Sequence, residues 1–242
     1  MPNIKGIVEY DGTNYSGWQR QLNSNSIQQI LEESLSTVLR EQISIIGSGR
    51  TDAGVHALNQ VFNFRSNSEV NLSSVRKSLN SILPKDISIK SLEFTGENFH
   101  SIYSAISREY LYIISLRKNV FYDRFCWTIF GNLDLDYLRK ISEIFIGEKN
   151  FEAFCKNSHE VENLICNVSN SRWFIRKDIL FYFISADRFI HGMVRGIVGC
   201  MIEAARGRIH AAEINSLFDS DRKVKSPSWA PASGLILYKV NY

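Results

Sequence analysis

An aspartate set between an arginine and a glycine in a short turn is the feature of this chain best suited to chemistry. The stretch reads Arg50-Thr51-Asp52-Ala53-Gly54-Val55-His56. An ionised carboxylate can attack an electrophilic carbon or accept a proton, and a nearby guanidinium favours that ionised form. Glycines at 47, 49 and 54 let the backbone bend sharply or approach a ligand closely. The same residues also suit an ordinary turn with a local ion pair, and residue chemistry alone leaves both readings open. Two further positions stand out. Arg195 accompanies Gly192, Gly196 and Gly199, and the four fall within an arc of about 100° on a helix. Helical glycines cost roughly 1 kcal/mol each relative to alanine, so this bare face is expected to admit another backbone, and a cation buried in it needs a partner. Tyr110 opens an alternating segment, where it serves either as core or as an aromatic surface for a ligand. His56 and His100 are assigned no role, because loop histidines commonly hydrogen-bond the backbone.

The elements that must carry these residues can be read from periodicity. Around the turn, the apolar run Ile43 to Ile46 and the alternating Val61-Phe62-Asn63-Phe64 read as a strand pair. Ile4 to Tyr10 is an earlier strand. Ser26, with Gln29 three residues on, starts a helix whose apolar face is Ile27, Ile30, Leu31, Leu35, Val38 and Leu39. A second helix is expected from Ser73 to Ile82, stopped by Pro84, and a strand from Ile87 to Phe94. The second half begins with a strand, Tyr110 to Ile114. A helix follows Asp134 and ends at Gly147. Ser171 to Ile175 and Ile179 to Ser185 form a hairpin about Arg176-Lys177-Asp178. A long helix spans Phe189 to Arg206 with Gly207 beyond its end, then come a short helix near Ala211 to Phe218 and a closing strand, Leu235 to Tyr242.

Strands interleaved with helices in both halves predict an α+β fold built by duplication. The expected domains are 1–105, carrying the aspartate turn, and 106–242. No linker rich in Gly, Pro or Ser marks the seam near Ala105 to Arg108, so the halves are expected to share a continuous sheet.

Composition narrows the class. The 242 residues are 44% hydrophobic and 22% charged, as in a globular protein with a real core. No apolar run approaches the ~18–20 residues that span a bilayer, and the N-terminus lacks a leader pattern, so no membrane partner and a cytoplasmic location are expected. Cys126, Cys155, Cys166 and Cys200 form no Cys-x-x-Cys pair and read as reduced thiols rather than disulfides or a zinc site. With no metal-ligand cluster and no phosphate loop, the expected chemistry uses side chains alone: no metal and no small-molecule cofactor. Residues 1–105 hold 9 Lys/Arg against 10 Asp/Glu, and residues 106–242 hold 19 against 15. That is compatible with a local basic surface for RNA and equally with ordinary charge scatter.

The full string Ser48-Gly49-Arg50-Thr51-Asp52-Ala53-Gly54-Val55-His56-Ala57 closely resembles the signature of the TruA family of tRNA pseudouridine synthases. The resemblance continues through Glu9 to Gln21, through Asn98-Phe99-His100 and Tyr103-Ser104-Ala105, and through Arg108-Glu109-Tyr110-Leu111-Tyr112. It extends to Phe189-Ile190-His191-Gly192-Met193-Val194-Arg195 with Ile197-Val198-Gly199, and ends at Gly234-Leu235-Ile236-Leu237. Ser101-Ile102 stands where the family often carries a second arginine.

The resemblance implies two ferredoxin-like halves sharing a mostly antiparallel sheet, with the active-site cleft between them. It implies isomerisation of uridine to pseudouridine in tRNA, at positions 38, 39 and 40 of the anticodon stem-loop, by a homodimer. Asp52 is then the catalytic carboxylate and Arg195 its paired cation. Tyr110 lies against the target base, Leu235 forms the apolar pocket wall, and Arg50 engages the RNA backbone and helps extrude the base. Three alternatives are weighed against this reading: a pseudouridine synthase acting on another RNA position, a non-catalytic tRNA-binding module, which would tolerate loss of Asp52, Tyr110 or Arg195, and an Asp52 phosphatase, which would want a Mg²⁺ site with further acidic residues.

Overall fold

A computed structural model describes residues 1–67, 71–156, 161–219 and 225–242. In chain order the elements are β1 (Asn3–Tyr10), α1 (Ile27–Leu39), β2 (Ile46–Gly47), β3 (His56–Arg65), α2 (Leu72–Ile82), β4 (Ile87–Thr95) and β5 (Ser107–Ser115). They continue with β6 (Trp127–Thr128), α3 (Leu135–Ser142), β7 (Gly147–Asn150), β8 (Ile165–Arg176), β9 (Ile179–Ala186), α4 (Met193–Ala205), α5 (Ala211–Ser216) and β10 (Leu235–Asn241). The fold is α+β, as expected. The chain divides into two compact units, Met1–Ile106 with Ile236–Tyr242, and Ser107–Leu235.

In the first unit β1 lies between β3 and β4 and is antiparallel to both. Alternation puts Ile4, Gly6, Val8 and Tyr10 on its buried face, and the Phe62 ring covers Gly6 so closely that a Cβ there would sit 2.3 Å from it. Helix α1 starts where Ser26 Oγ accepts the Gln29 N–H, and Ile27, Leu31 and Leu35 are fully buried. Asn71 caps α2 in the same way through the Ser74 N–H, and Val75 and Leu79 face inward. The expected strand at Ile43 to Ile46 is reduced to β2. The Ile43 N–H donates to Ser36 Oγ and the Ile45 N–H to Glu32 Oε1, while Gln28 Nε2 donates to the Ile45 carbonyl. Side chains of α1 thus take the backbone groups a sheet would have used. The closing strand, read from sequence with the second half, runs parallel to β3 from Ile236, opposite His56, and Leu237, opposite Ala57.

The second unit is ordered β5-β9-β8-β7, all antiparallel, with the short β6 parallel to β5. The β8–β9 hairpin closes between Arg176 and Ile179, with Lys177 at φ 54, the left-handed conformation tight hairpins need. Strand β8 begins at Ile165, six residues before the expected start. A bulge between Val168 and Asn170 moves the buried positions from Cys166 and Val168 to Ser171 and Trp173, and this phase slip conceals the first half of the strand. Asp134 caps α3 through the Tyr137 N–H, and α3 packs against α4 and β8. Helix α4 begins at Met193 rather than Phe189, because Gly192 has φ 77 and stands outside the helix as its N-cap.

Candidate active site

The Asp52 turn is seated in the first unit by contacts from the N-terminal loop. The Val55 N–H donates to the Asp52 carbonyl (3.1 Å) and closes the turn, the Trp18 N–H donates to the Thr51 carbonyl (3.1 Å), and the Gly54 N–H donates to the Tyr15 carbonyl (3.3 Å). Beneath the turn, the hydroxyls of Tyr10 and Thr51 are hydrogen-bonded at 2.8 Å, both buried. Two glycines make the approach possible. A Cβ on Gly12 would lie 2.0 Å from the Val55 oxygen, and one on Gly17, at φ 92, would lie 2.4 Å from the Thr51 oxygen. The strand side of the turn is held by Gln60, which accepts from Ser48 Oγ and donates to the Gly49 carbonyl. His56 is buried and its Nδ1 accepts the Gly12 N–H (3.0 Å), with Asp11 Oδ1 3.1 Å from the same nitrogen. It ties the turn to the N-terminal loop. His100 Nδ1 accepts the N–H groups of Ile102 and Tyr103 and so closes a separate local turn. The arrangement is a half-buried carboxylate, Asp52, on a backbone fixed from three sides, with Arg50 exposed two residues away. Such a carboxylate meets the geometric demand on a nucleophile or base, because its position is set before a substrate arrives.

Tyr110, Arg195 and Leu235 all lie in the second unit. Tyr110 is half-buried on β5, its ring edge-to-face with Phe189 at 5.1 Å. Arg195 stands on the first turn of α4. Its Nε donates to the Ala230 carbonyl (2.8 Å), and the Ala230 N–H donates back to the Arg195 carbonyl (3.0 Å). The glycines near it are packing positions: a Cβ on Gly196 would lie 2.5 Å from the Phe154 oxygen, and one on Gly199 2.2 Å from the Ser228 oxygen. The close backbone approach expected of that face is therefore real, supplied by the 154 and 228–230 segments. Leu235 is buried at the start of β10, just after a tight turn, Ala232–Gly234. Sequence reasoning gave no role to Tyr112, two residues beyond Tyr110. It is fully buried and its hydroxyl donates to the Pro231 carbonyl at 2.8 Å. The available signal was the i, i+2 spacing, which puts both tyrosines on one face of β5.

The four cysteines are all buried and unbridged. Burial pushes the thiols of Cys155, Cys166 and Cys200 up to about 12. At neutral pH they are apolar filling rather than nucleophiles.

Comparison with known proteins extends the match beyond these motifs. A family model described as tRNA pseudouridine synthase matches residues 7–104 and 141–242. Proteins named tRNA pseudouridine synthase A from Thermodesulfovibrio yellowstonii and Dictyoglomus thermophilum are 37% and 39% identical, over 255 and 246 residues. A third from Chlorobium phaeovibrioides is 36% identical over 243 residues. In each case the alignment covers 100% of this chain and 100% of the relative. With the family's signature aspartate held on an anchored turn and identity of this order along its whole length, the chain belongs to the TruA family of tRNA pseudouridine synthases and is an isomerase.

Proposed function

We propose that this chain converts uridine to pseudouridine at positions 38, 39 and 40 of the tRNA anticodon stem-loop, with Asp52 as the catalytic carboxylate. The observation that carries the reading is the Asp52 turn, whose backbone is fixed by Trp18, Tyr15 and Val55 while the side chain stays half-buried. In this reaction the N1–C1′ bond breaks, the uracil turns, and C5 bonds to C1′. The proton on C5 is lost and one is gained at N1, so the product is an isomer and no external reductant or energy source enters. Asp52 acts either by attacking C1′ or by taking a proton from the sugar, which leads through a glycal; both routes need the ionised carboxylate.

The other roles follow the family resemblance. Tyr110 offers its ring to the extruded uracil, which needs a stacking surface once it leaves the helix. Leu235 supplies an apolar wall, Arg50 meets the phosphate backbone, and Arg195 pairs with Asp52. The working form is a homodimer in the cytoplasm, one subunit holding the tRNA body while the other does the chemistry. Among the described residues, no helix is long and apolar enough to cross a membrane.

The test is site-mapped pseudouridine in tRNA from cells with and without the gene, repeated with purified protein on unmodified transcripts. The expected result is loss of pseudouridine at 38, 39 and 40 in the deletion and its restoration in vitro. Pseudouridine appearing only at other positions would overturn the site assignment, and none at all would overturn the substrate.

A further inference from the structure

Two consecutive carbonyls in the second unit are held by two different side chains. Ala230 O accepts from Arg195 Nε at 2.8 Å, and Pro231 O accepts from Tyr112 Oη at 2.8 Å. The segment they grip leads at once into the turn Ala232–Gly234, closed by the Leu235 N–H on the Ala232 carbonyl. Gly234 lies flat on the Tyr112 ring: a Cβ there would be 2.6 Å from the tyrosine Cζ and 2.9 Å from the Ile113 oxygen. Tyr112 itself is fully buried and edge-to-face with Trp127 at 6.5 Å. On β5 it sits one side-chain step from Tyr110 on the same face.

A phenol buried this deeply normally carries a hydrogen bond, and here the bond is spent on the one peptide next to the arginine's own anchor. The Nε edge of Arg195 is committed to Ala230, so the orientation of the guanidinium depends on where that peptide lies. The position of Leu235 depends on it too, through four residues of tight chain. We propose that Tyr112 is a positioning residue for catalysis: its hydroxyl fixes the 230–234 segment and thereby sets both the guanidinium of Arg195 and the side chain of Leu235. This inference rests on the roles given above to those two residues. Burial raises the Tyr112 hydroxyl well above the ordinary tyrosine range, with the Arg195 cation opposing the shift. The phenol therefore stays protonated and able to donate across the working pH range.

The test uses the full chain and unmodified tRNA. Tyr112→Phe keeps the ring and removes the donor. Three quantities are measured: the single-turnover rate of pseudouridine formation, the Kd for tRNA, and hydrogen exchange at the Arg195 Nε–H by ¹⁵N NMR, its signal assigned by loss in Arg195→Lys. Expected are a rate loss of about ten-fold or more, as for a small misplacement of a working group, Kd within about two-fold, and clearly faster Nε–H exchange. Incorporating 4-aminophenylalanine at 112, which restores a donor, should recover most of both signals. A Tyr112→Phe rate within about two-fold of the wild type overturns the proposal. So does a rate loss with Nε–H exchange unchanged. Should Tyr112→Phe fail to fold, Gly234→Ala, which keeps the hydroxyl but displaces the ring, decides on the same two readouts. Wild-type protein that forms no pseudouridine would instead sink the functional reading on which the inference stands.

Discussion

Replacing Gly17 with alanine puts a methyl group where the backbone of the Asp52 turn already lies. The new Cβ would be 2.4 Å from the Thr51 oxygen, 3.1 Å from the Asp52 carbonyl carbon and 3.2 Å from the Ala53 nitrogen. Ordinary contact begins at 3.4 Å, so the turn must retreat by roughly 1 Å, a displacement that can cost about 100-fold in rate when it falls on a reacting group. Stability suffers separately. The left-handed φ of 92 costs an alanine about 1–2 kcal/mol, and forcing a methyl into a filled space costs about 1–3 kcal/mol more. For a chain of this size the sum lowers Tm by roughly 4–20 °C. Gly17→Ala should therefore still fold at 25 °C, bind tRNA near normally, and turn over about 100-fold slower in a single-turnover pseudouridine assay. Gly96→Ala is the control: Gly96 is exposed, a Cβ there would meet nothing within 4 Å, and the variant should behave as wild type. A Gly17→Ala protein with wild-type rate and Tm would refute the idea that the turn is rigidly seated. A lower Tm with an unchanged rate would separate the seating of the turn from catalysis.

Asp52→Asn keeps the shape and removes the charge. It should leave less than about one per cent of turnover, with Tm within a few degrees and tRNA affinity largely intact, read by the same assay beside a melt and a binding titration. Affinity for tRNA should fall steeply with salt, and Arg50→Ala, at an exposed position, should weaken binding and reduce the salt slope by about one without moving Tm; binding that is flat with salt would argue against a tRNA substrate. Alkaline pH should destabilise the fold. The thiols of Cys155, Cys166 and Cys200 rise from 9.0 to about 12 in the folded chain, so the unfolded chain releases their protons first and stability is lost as pH rises from about 9 towards 12. Urea unfolding at pH 8, 10 and 11 would show a falling midpoint, and a constant one would mean these thiols are not buried in solution.

Local signals were the legible part of the fold. The caps at Ser26 and Asp134 and the apolar spacing behind them mark helix starts, because the groups that decide them lie within one turn of chain; the second helix, expected from Ser73, starts at Leu72 behind the cap Asn71. Strand pairing was legible where a short connection enforces it, as at Lys177-Asp178 and, over Ile46 and Gly47, on either side of the Asp52 turn. The partner of the closing strand could not be read, since β10 meets β3 across a long stretch of chain and periodicity says nothing of neighbours. Ile43 to Ile45 shows the opposite failure. Its burial does alternate, which is all that a strand pattern can reveal, but Ser36, Gln28 and Glu32 have taken its hydrogen bonds.

The candidate site divides along the same line. The Asp52 turn announces itself because its glycines, carboxylate and arginine are contiguous, and the constraint on them is local. What anchors the turn is not contiguous with it: Tyr10 ends β1, and Gly12, Gly17 and Trp18 come from the loop that follows, and their function emerges only when those segments meet the turn. Arg195 is the harder case. A cation among glycines on one helical face implied close backbone approach, and that approach is present at Gly196 and Gly199. One of those glycines proved to be a cap outside the helix, and the two within it fit against the carbonyls of Phe154 and Ser228. The first partner of the arginine is likewise a carbonyl, Ala230, whose acceptor has no side-chain identity to read. Sequence motifs record side chains that must be particular; peptide groups that any residue could supply leave no trace in them. An arginine oriented by a peptide is then only as well placed as that peptide, which moves the question of its precision from Arg195 to whatever holds residues 230 and 231, and the structure puts Tyr112 there.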